Sequence, residues 1–266
     1  MFDSIAGDYD ALNHILSLDV DKIWRKKALK QIVDAPAPVQ VLDLACGTGD
    51  FSIAIAKALS RSHKRVGTPI EAHVKAPAKA PVEAQVTSTG FVTGDSGRSD
   101  LMTKGHVTGV DLSEGMLAVM REKVQKAGLT EMISIEEGDG ENLRFPDNTF
   151  DRVTIAFGIR NFENREKGLR EMLRVLKPGG RLVILELSRP ENKVIRWFYD
   201  LYFLHILPKI GGKVSGDKAA YAYLPASVAA FPGKKAFMAT MREAGFHTVT
   251  HKAFTLGICR MYTGEK

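Results

Sequence analysis

Five short runs of apolar residues punctuate the chain, and polar or helically patterned stretches lie between them. The runs are Val41 to Leu44, His106 to Asp111, Ile133 to Glu136, Asp151 to Phe157 and Arg181 to Glu186. Each is short enough and apolar enough to read as a strand covered on both faces. Between them the apolar period changes to three and four. A helix is expected to begin near Asp50, a second runs from a Ser113 cap through Met116, Leu117, Met120 and Val124 to Gly128, and a third spans Asn164 to Leu176. Lys177-Pro178-Gly179-Gly180 reads as the turn that ends the third. Strands alternating with helices predict an α/β fold, a doubly wound and mostly parallel sheet with right-handed crossovers.

The flanks follow the same reading. Ile23 to Val33 predicts a helix closed by Ala35-Pro36-Ala37-Pro38, and Phe2 to Trp24 has helical spacing interrupted by Asp8-Tyr9-Asp10. Lys234 to Gly245 predicts a late helix, and His247 to His251 with Phe254 to Tyr262 predict two closing strands at the sheet edge. Val194 to Ile210 carries more aromatic residues than one buried helix face needs, so it reads either as core or as the lining of a slot for a planar substrate with an apolar tail.

One stretch breaks the pattern. Residues 61–105 have no sustained period and are rich in Ala, Pro, Gly, Ser, Thr and Lys, the composition of a segment that buries too little apolar surface to offset its ordering entropy. It is expected to be a largely disordered insertion in one surface connection of a single domain spanning 1–266. It also carries seven Lys and Arg against four Asp and Glu, and so supplies three of the chain's six net positive charges. The remainder is only mildly basic and shows neither zinc-finger spacing nor an RNA-binding aromatic motif, so nucleic acid is not an expected partner.

An apolar content of 44% with 26% charged residues fits a globular protein, and no run approaches a membrane span of about 18 residues. The N-terminus has no signal core, so the cytosol is the expected compartment. The two cysteines, Cys46 and Cys259, form no metal-ligand spacing and read as free thiols. No metal site is expected.

Candidate chemistry gathers at the ends of the predicted strands, where open α/β sheets bind ligands. Small residues follow the first strand as Asp43-x-Ala45-x-Gly47-x-Gly49, and the third glycine of the nicotinamide fingerprint is replaced by Ser52. This loop resembles the S-adenosylmethionine (SAM) loop of class I methyltransferases, with Ala45 in place of that loop's usual first glycine. A ribose-binding acid belongs at the end of the second strand. Asp111 stands there, 62 residues beyond Gly49 and only 17 once the 45 residues of 61–105 are set aside. Asp139 and Gly140 follow the third strand, and Arg160-Asn161 follow the fourth.

Further stretches resemble the ubiquinone/menaquinone biosynthesis C-methyltransferases over nearly the whole chain outside 61–105. One is Tyr9-Asp10-x-Leu12-Asn13-x-x-Leu16-Ser17 continuing to Trp24, where the family often has Met at position 12 and His at position 21. The other, Arg174-Val175-Leu176-Lys177-Pro178-Gly179-Gly180-Arg181-Leu182-x-x-Leu185-Glu186-x-Ser188, matches without departure. The resemblance implies methyl transfer from SAM to a ring carbon of a polyprenylated quinol. It implies SAM contacts from Thr48, Asp111, Asp139, Gly140 and Ala156, beside Gly47 and Gly49 of the loop. Such a transfer needs deprotonation of the quinol, and Arg160, Asn161 and Tyr9 are the candidates for holding a water or stabilising the phenolate. The favoured acceptor is the naphthoquinol demethylmenaquinol. A benzoquinol of ubiquinone biosynthesis and a non-catalytic SAM- or RNA-binding regulator stand as alternatives. A bilayer-resident acceptor further implies a transient contact at the inner face of the cytoplasmic membrane, and a homodimer stays open.

Overall fold

The computed structural model describes residues 20–34, 39–66, 105–202 and 218–266. Tyr9 and the rest of the first family motif up to position 19 lie outside them, as do 67–104 of the expected insertion and 203–210 of the aromatic stretch.

Helix α1 (Val20–Val33) leads to β1 (Gln40–Leu44), α2 (Asp50–Val66), β2 (His106–Asp111), α3 (Glu114–Lys126) and β3 (Ile133–Glu137). Then come β4 (Phe150–Ala156), a short 3-10 turn Ile159–Asn161, α4 (Arg165–Val175) and β5 (Leu176–Leu187). The chain continues through α5 (Lys193–Leu201), α6 (Lys218–Ala230), α7 (Lys234–Glu243), β6 (His247–Phe254) and β7 (Cys259–Glu265). The seven strands form one sheet in the order β3-β2-β1-β4-β5-β7-β6. Every pairing is parallel except those of β7, which is antiparallel to β5 and to β6.

Strand residues alternate between two apolar layers, as the two-residue side-chain period requires. Leu42 and Leu44 of β1 with Leu182 and Ile184 of β5 face Leu169 and Met172 of α4 and Phe237 and Met241 of α7. Val41 with Val183 and Leu185 faces the other way, toward Trp24, Ile32, Ile55, Leu117 and Met120 of α1, α2 and α3. Helices thus cover both faces, which is why these strands read as continuous apolar runs. Their starts match the expected caps. Ser113 Oγ accepts the N–H of Met116 at 3.3 Å, and Asn164 Oδ1 accepts that of Lys167 at 2.9 Å.

The structure departs from expectation in four places. Helix α2 continues through 61 to Val66, because no helix breaker intervenes before Gly67 and Pro69. Strand β5 begins at Leu176, read as the helix's last residue, and runs through the Lys177–Gly180 segment read as a turn: Gly179 adopts a φ of +74°, its N–H donates to the Lys266 carbonyl at 3.1 Å, and the Lys266 N–H donates to the Gly180 carbonyl at 3.0 Å. Helix α6 was not anticipated, since its alanine-rich sequence has little amphipathic contrast and contains Pro225. Of the two closing strands, only β6 is at the edge; β7 lies inside the sheet.

Candidate active site

The fold change at the C-terminal ends of β1 and β4, where the strand order reverses, opens a cleft of about 470 Å³. The loop after β1 forms its floor. Ala45 and Gly47 turn through φ values of +48° and +56°, and a Cβ on Gly47 would have no neighbour within 4 Å, so a side chain there would project into the cleft. Ala45 is a non-glycine residue in a left-handed conformation, and its methyl group occupies the space that Gly158 leaves open: a Cβ on Gly158 would lie 2.5 Å from it.

Asp111 ends β2 at the cleft wall. Its Oδ2 accepts the N–H of Gly47 at 2.8 Å, and its Oδ1 accepts that of Ser113 at 2.9 Å. One carboxylate therefore ties the glycine loop to the start of α3. Leu112, beside it, is exposed and lines the same wall. Asp139, Gly140 and Ala156 line the cleft. Asp139 Oδ1 accepts the Glu141 N–H at 2.8 Å, and Gly140 must lack a side chain because a Cβ would come within 2.5 Å of the Phe162 ring.

Two loop residues expected at the cofactor also make contacts within the scaffold. Gly49 packs under Met120, whose Cγ would lie 2.4 Å from an added Cβ, and Thr48 is buried, with its hydroxyl accepting from Lys123 Nζ at 3.3 Å. Neither is among the residues lining the cleft. Beneath the loop, the buried carboxyl of Asp43 accepts the Ser52 hydroxyl at 2.5 Å. Burial pushes its pKa up to about 7, against the opposing effect of that hydrogen bond. Cys46 sits 3.5 Å from the Met120 sulfur, and burial, then the Asp43 and Asp111 charges, push its thiol well above the usual range. That is the opposite of an activated nucleophile.

The far wall is Phe157 to Phe162. Phe157 follows β4 with a φ of +63°, and its ring lies 6.2 Å from that of Trp24 and 5.7 Å from the Arg25 guanidinium carbon. A bulky residue in that conformation marks a strained, over-determined site. Asn161 reaches the cleft, and its Oδ1 accepts the Tyr223 hydroxyl at 3.0 Å. Arg160 does not reach it. Its guanidinium turns into the protein, pairs with the fully buried Glu186 at 2.9 Å, donates to Ser227 Oγ at 3.2 Å and bonds the Phe157 carbonyl. Glu186 also accepts the backbone N–H of Arg160 at 3.1 Å. The structure thus places Arg160, expected at the substrate, behind Phe157 and Asn161, because a buried guanidinium takes the carboxylate within reach. Sequence reasoning missed Glu186, Tyr223 and Ser227 as partners; Glu186 stood in a quoted motif, but α6 gave no signal.

The seven-stranded order with one reversed strand and a ligand cleft over β1, β2 and β4 defines a class I methyltransferase fold. A SAM-dependent methyltransferase from Aquifex aeolicus shares it with a TM-score of 0.53 at 19% identity, over 90% of this chain and 88% of that one. The model of the ubiE/COQ5 methyltransferase family matches residues 1–266, and the chain belongs to that family. Over all 266 residues it is 39% identical to a demethylmenaquinone methyltransferase of Bacteroides fragilis, covering 91% of that protein. It is 42% identical to a ubiquinone/menaquinone biosynthesis C-methyltransferase of Geobacter sulfurreducens, covering 87%.

Proposed function

We propose that this chain methylates a ring carbon of demethylmenaquinol, with SAM as donor, giving menaquinol. The observation that carries the reading is the Asp111 carboxylate, held between the N–H groups of Gly47 and Ser113 at the wall of a cleft whose opposite wall is Phe157, Asn161 and Phe162. Asp111 would accept both ribose hydroxyls, Leu112 would cover a flat base, and Asp139 would take its amino group. Bound in this way, SAM would supply a sulfonium methyl for transfer to the ring carbon, with S-adenosylhomocysteine as the leaving product.

The protein must make that carbon nucleophilic and hold it in line. Deprotonation of a quinol hydroxyl raises electron density at the adjacent carbon, and rearomatisation afterwards releases the ring proton to water. With Oδ1 of Asn161 engaged by Tyr223, the amide nitrogen remains to donate to the phenolate oxygen. Arg160 positions this group from behind, and Tyr9 is proposed to hold the water that takes the proton. Phe157 and Phe162 exclude bulk water.

No helix among the described residues is long and apolar enough to cross a membrane. We place the meeting with the polyprenylated acceptor at the membrane surface, through a peripheral contact. The experiment is methyl transfer from labelled SAM to reduced demethylmenaquinone, beside a demethylated polyprenyl-benzoquinol and RNA. Label in the naphthoquinol is expected; label in the benzoquinol alone would move the assignment to ubiquinone biosynthesis, and label in neither quinol would refute it.

A further inference from the structure

We infer that a second cavity, between the end of β5, the start of β7, the inner side of α5 and the start of α7, is a binding site for a small phosphate monoester. It shares no lining residue with the cleft over β1 and β4, and it does not depend on the identity of the methyl acceptor.

The cavity measures about 220 Å³, and Arg189, Arg196, Lys234 and Arg260 line it against a single carboxylate, that of Glu191. Arg196 reaches it from the side of α5 that also carries Tyr199 and Asp200, three and four residues on. The charges around it do not balance. Asp200, which is not part of the lining, neutralises Arg189 through bonds of 2.7 and 3.0 Å. Lys234 and Arg260 share Glu191 at 2.8 and 3.2 Å. Arg196 donates from Nε to the Pro190 carbonyl at 2.8 Å, an uncharged acceptor. Glu186 stands opposite Arg260 in the register of β5 and β7 but is taken by Arg160, and His251, whose Nδ1 lies 3.5 Å from Arg260, brings no negative charge. Four cations therefore face two carboxylates. The deficit falls on the least solvated cation, since the Arg260 side chain is 5% exposed and its shared partner Glu191 is 54% exposed. A guanidinium so far from water is costly without a full counter-charge.

A phosphate monoester near neutral pH carries about 1.5 to 2 negative charges and three strong acceptor oxygens, which matches the two uncompensated positive charges. A carboxylate supplies one charge and leaves part of the deficit. The planar donors of Arg196 and Arg260 suit a phosphate, and α7 begins at the cavity with Gly233, which makes no side-chain capping bond, so the polarity of that helix end also favours an anion. Val228, Phe231 and Pro232 form an apolar part of the wall where the organic portion of an ester can rest. The volume is below the roughly 300–1,000 Å³ of pockets that hold drug-sized ligands, so the ester is small.

The test is calorimetric titration of the full chain with glycerol 3-phosphate, inorganic phosphate and acetate, with and without S-adenosylhomocysteine. Glycerol 3-phosphate is expected to bind with a Kd below about 1 mM, inorganic phosphate more weakly and acetate weakest, each unaffected by S-adenosylhomocysteine. Arg196→Gln and Lys234→Gln are each expected to weaken the phosphate ester about tenfold. Glu191→Gln removes the competing carboxylate and is expected to tighten it about twofold to fivefold. All three side chains are partly exposed, so the variants are expected to keep the parent's melting temperature within a few degrees. Absence of saturable phosphate binding would overturn the proposal. Acetate binding as tightly as glycerol 3-phosphate would do the same, as would displacement by S-adenosylhomocysteine, which would put the anion in the other cleft. Affinities within twofold of the parent in both cation variants would place the site elsewhere. Weaker binding in Glu191→Gln would mean that this carboxylate completes the cluster and no anion is needed.

Discussion

Exchanging the methyl group between Ala45 and Gly158 tests how the cleft floor is built. Ala45 holds a φ of +48°, a conformation that costs an L-residue about 1–2 kcal/mol relative to glycine. Ala45→Gly relieves that strain, but the extra freedom of an unfolded glycine returns roughly 0.4–1 kcal/mol, so the net gain is about 0–1.6 kcal/mol. Gly158→Ala alone places its Cβ 2.5 Å from that of Ala45, whereas ordinary contacts begin at 3.4 Å. The backbone must shift, at about 1–3 kcal/mol. In the double variant the obstructing methyl is gone, and the nearest remaining atoms are side-chain carbons of Ile155 at 3.2 and 3.3 Å. The two substitutions are therefore expected to be non-additive by at least about 1 kcal/mol, with the double variant more stable than the sum of the singles. Urea denaturation of the four proteins, compared at constant slope, gives the coupling. Additivity within about 0.5 kcal/mol would refute the argument that these two positions share one methyl-sized space.

Three other outcomes follow from the site. Asp111→Ala is expected to weaken SAM binding by about tenfold to 150-fold, the loss of roughly 1.5–3 kcal/mol of charge-assisted hydrogen bonding, measured by calorimetry; a Kd within twofold of the parent in a folded variant would refute the ribose role. Asp43 has a folded pKa of about 7 against an ordinary 3.8, so the native state holds the extra proton between these values and stability falls as pH rises through that window. Asp43→Asn is expected to remove that component, and urea midpoints that keep the parent's pH slope would contradict it. Glu186→Ala leaves the Arg160 charge buried and unpaired, at about 3–5 kcal/mol; adding Arg160→Gln should recover part of that loss, and a cost below about 1 kcal/mol would mean that the pair is not isolated from water.

The strand and helix order was legible because strands covered on both faces leave uninterrupted apolar runs, and because Ser113 and Asn164 mark helix starts by local chemistry. Asp111 was legible only after 61–105 was set aside, since spacing along the chain stands for geometry only when intervening residues belong to the repeating unit. The orientation of Arg160 was not legible because sequence shows which residue types lie near a strand end but not which way a long side chain turns. Its direction is set by Glu186, 26 residues away on β5, and by Ser227 on α6. The packing of Thr48 and Gly49 was not legible for a related reason. A loop that hugs a ligand with one surface must pack with the other, and Met120 and Lys123 of α3 decide which residues do so.

The place of β7 has a consequence for how the sheet can assemble. β7 is bonded on one side to β5 and on the other to β6, yet it follows both in the chain. As the polypeptide is synthesised, β5 can join the parallel sheet while its outer edge stays open, and β6 has no strand of that sheet to pair with. Both wait for Cys259 to Glu265. The final step is then the insertion of one strand between two that already exist, a non-local and slow event during which two unsatisfied edges invite pairing with other chains. Premature termination before Cys259 would leave that intermediate permanently open, and its expected fate is aggregation or degradation rather than a smaller folded enzyme.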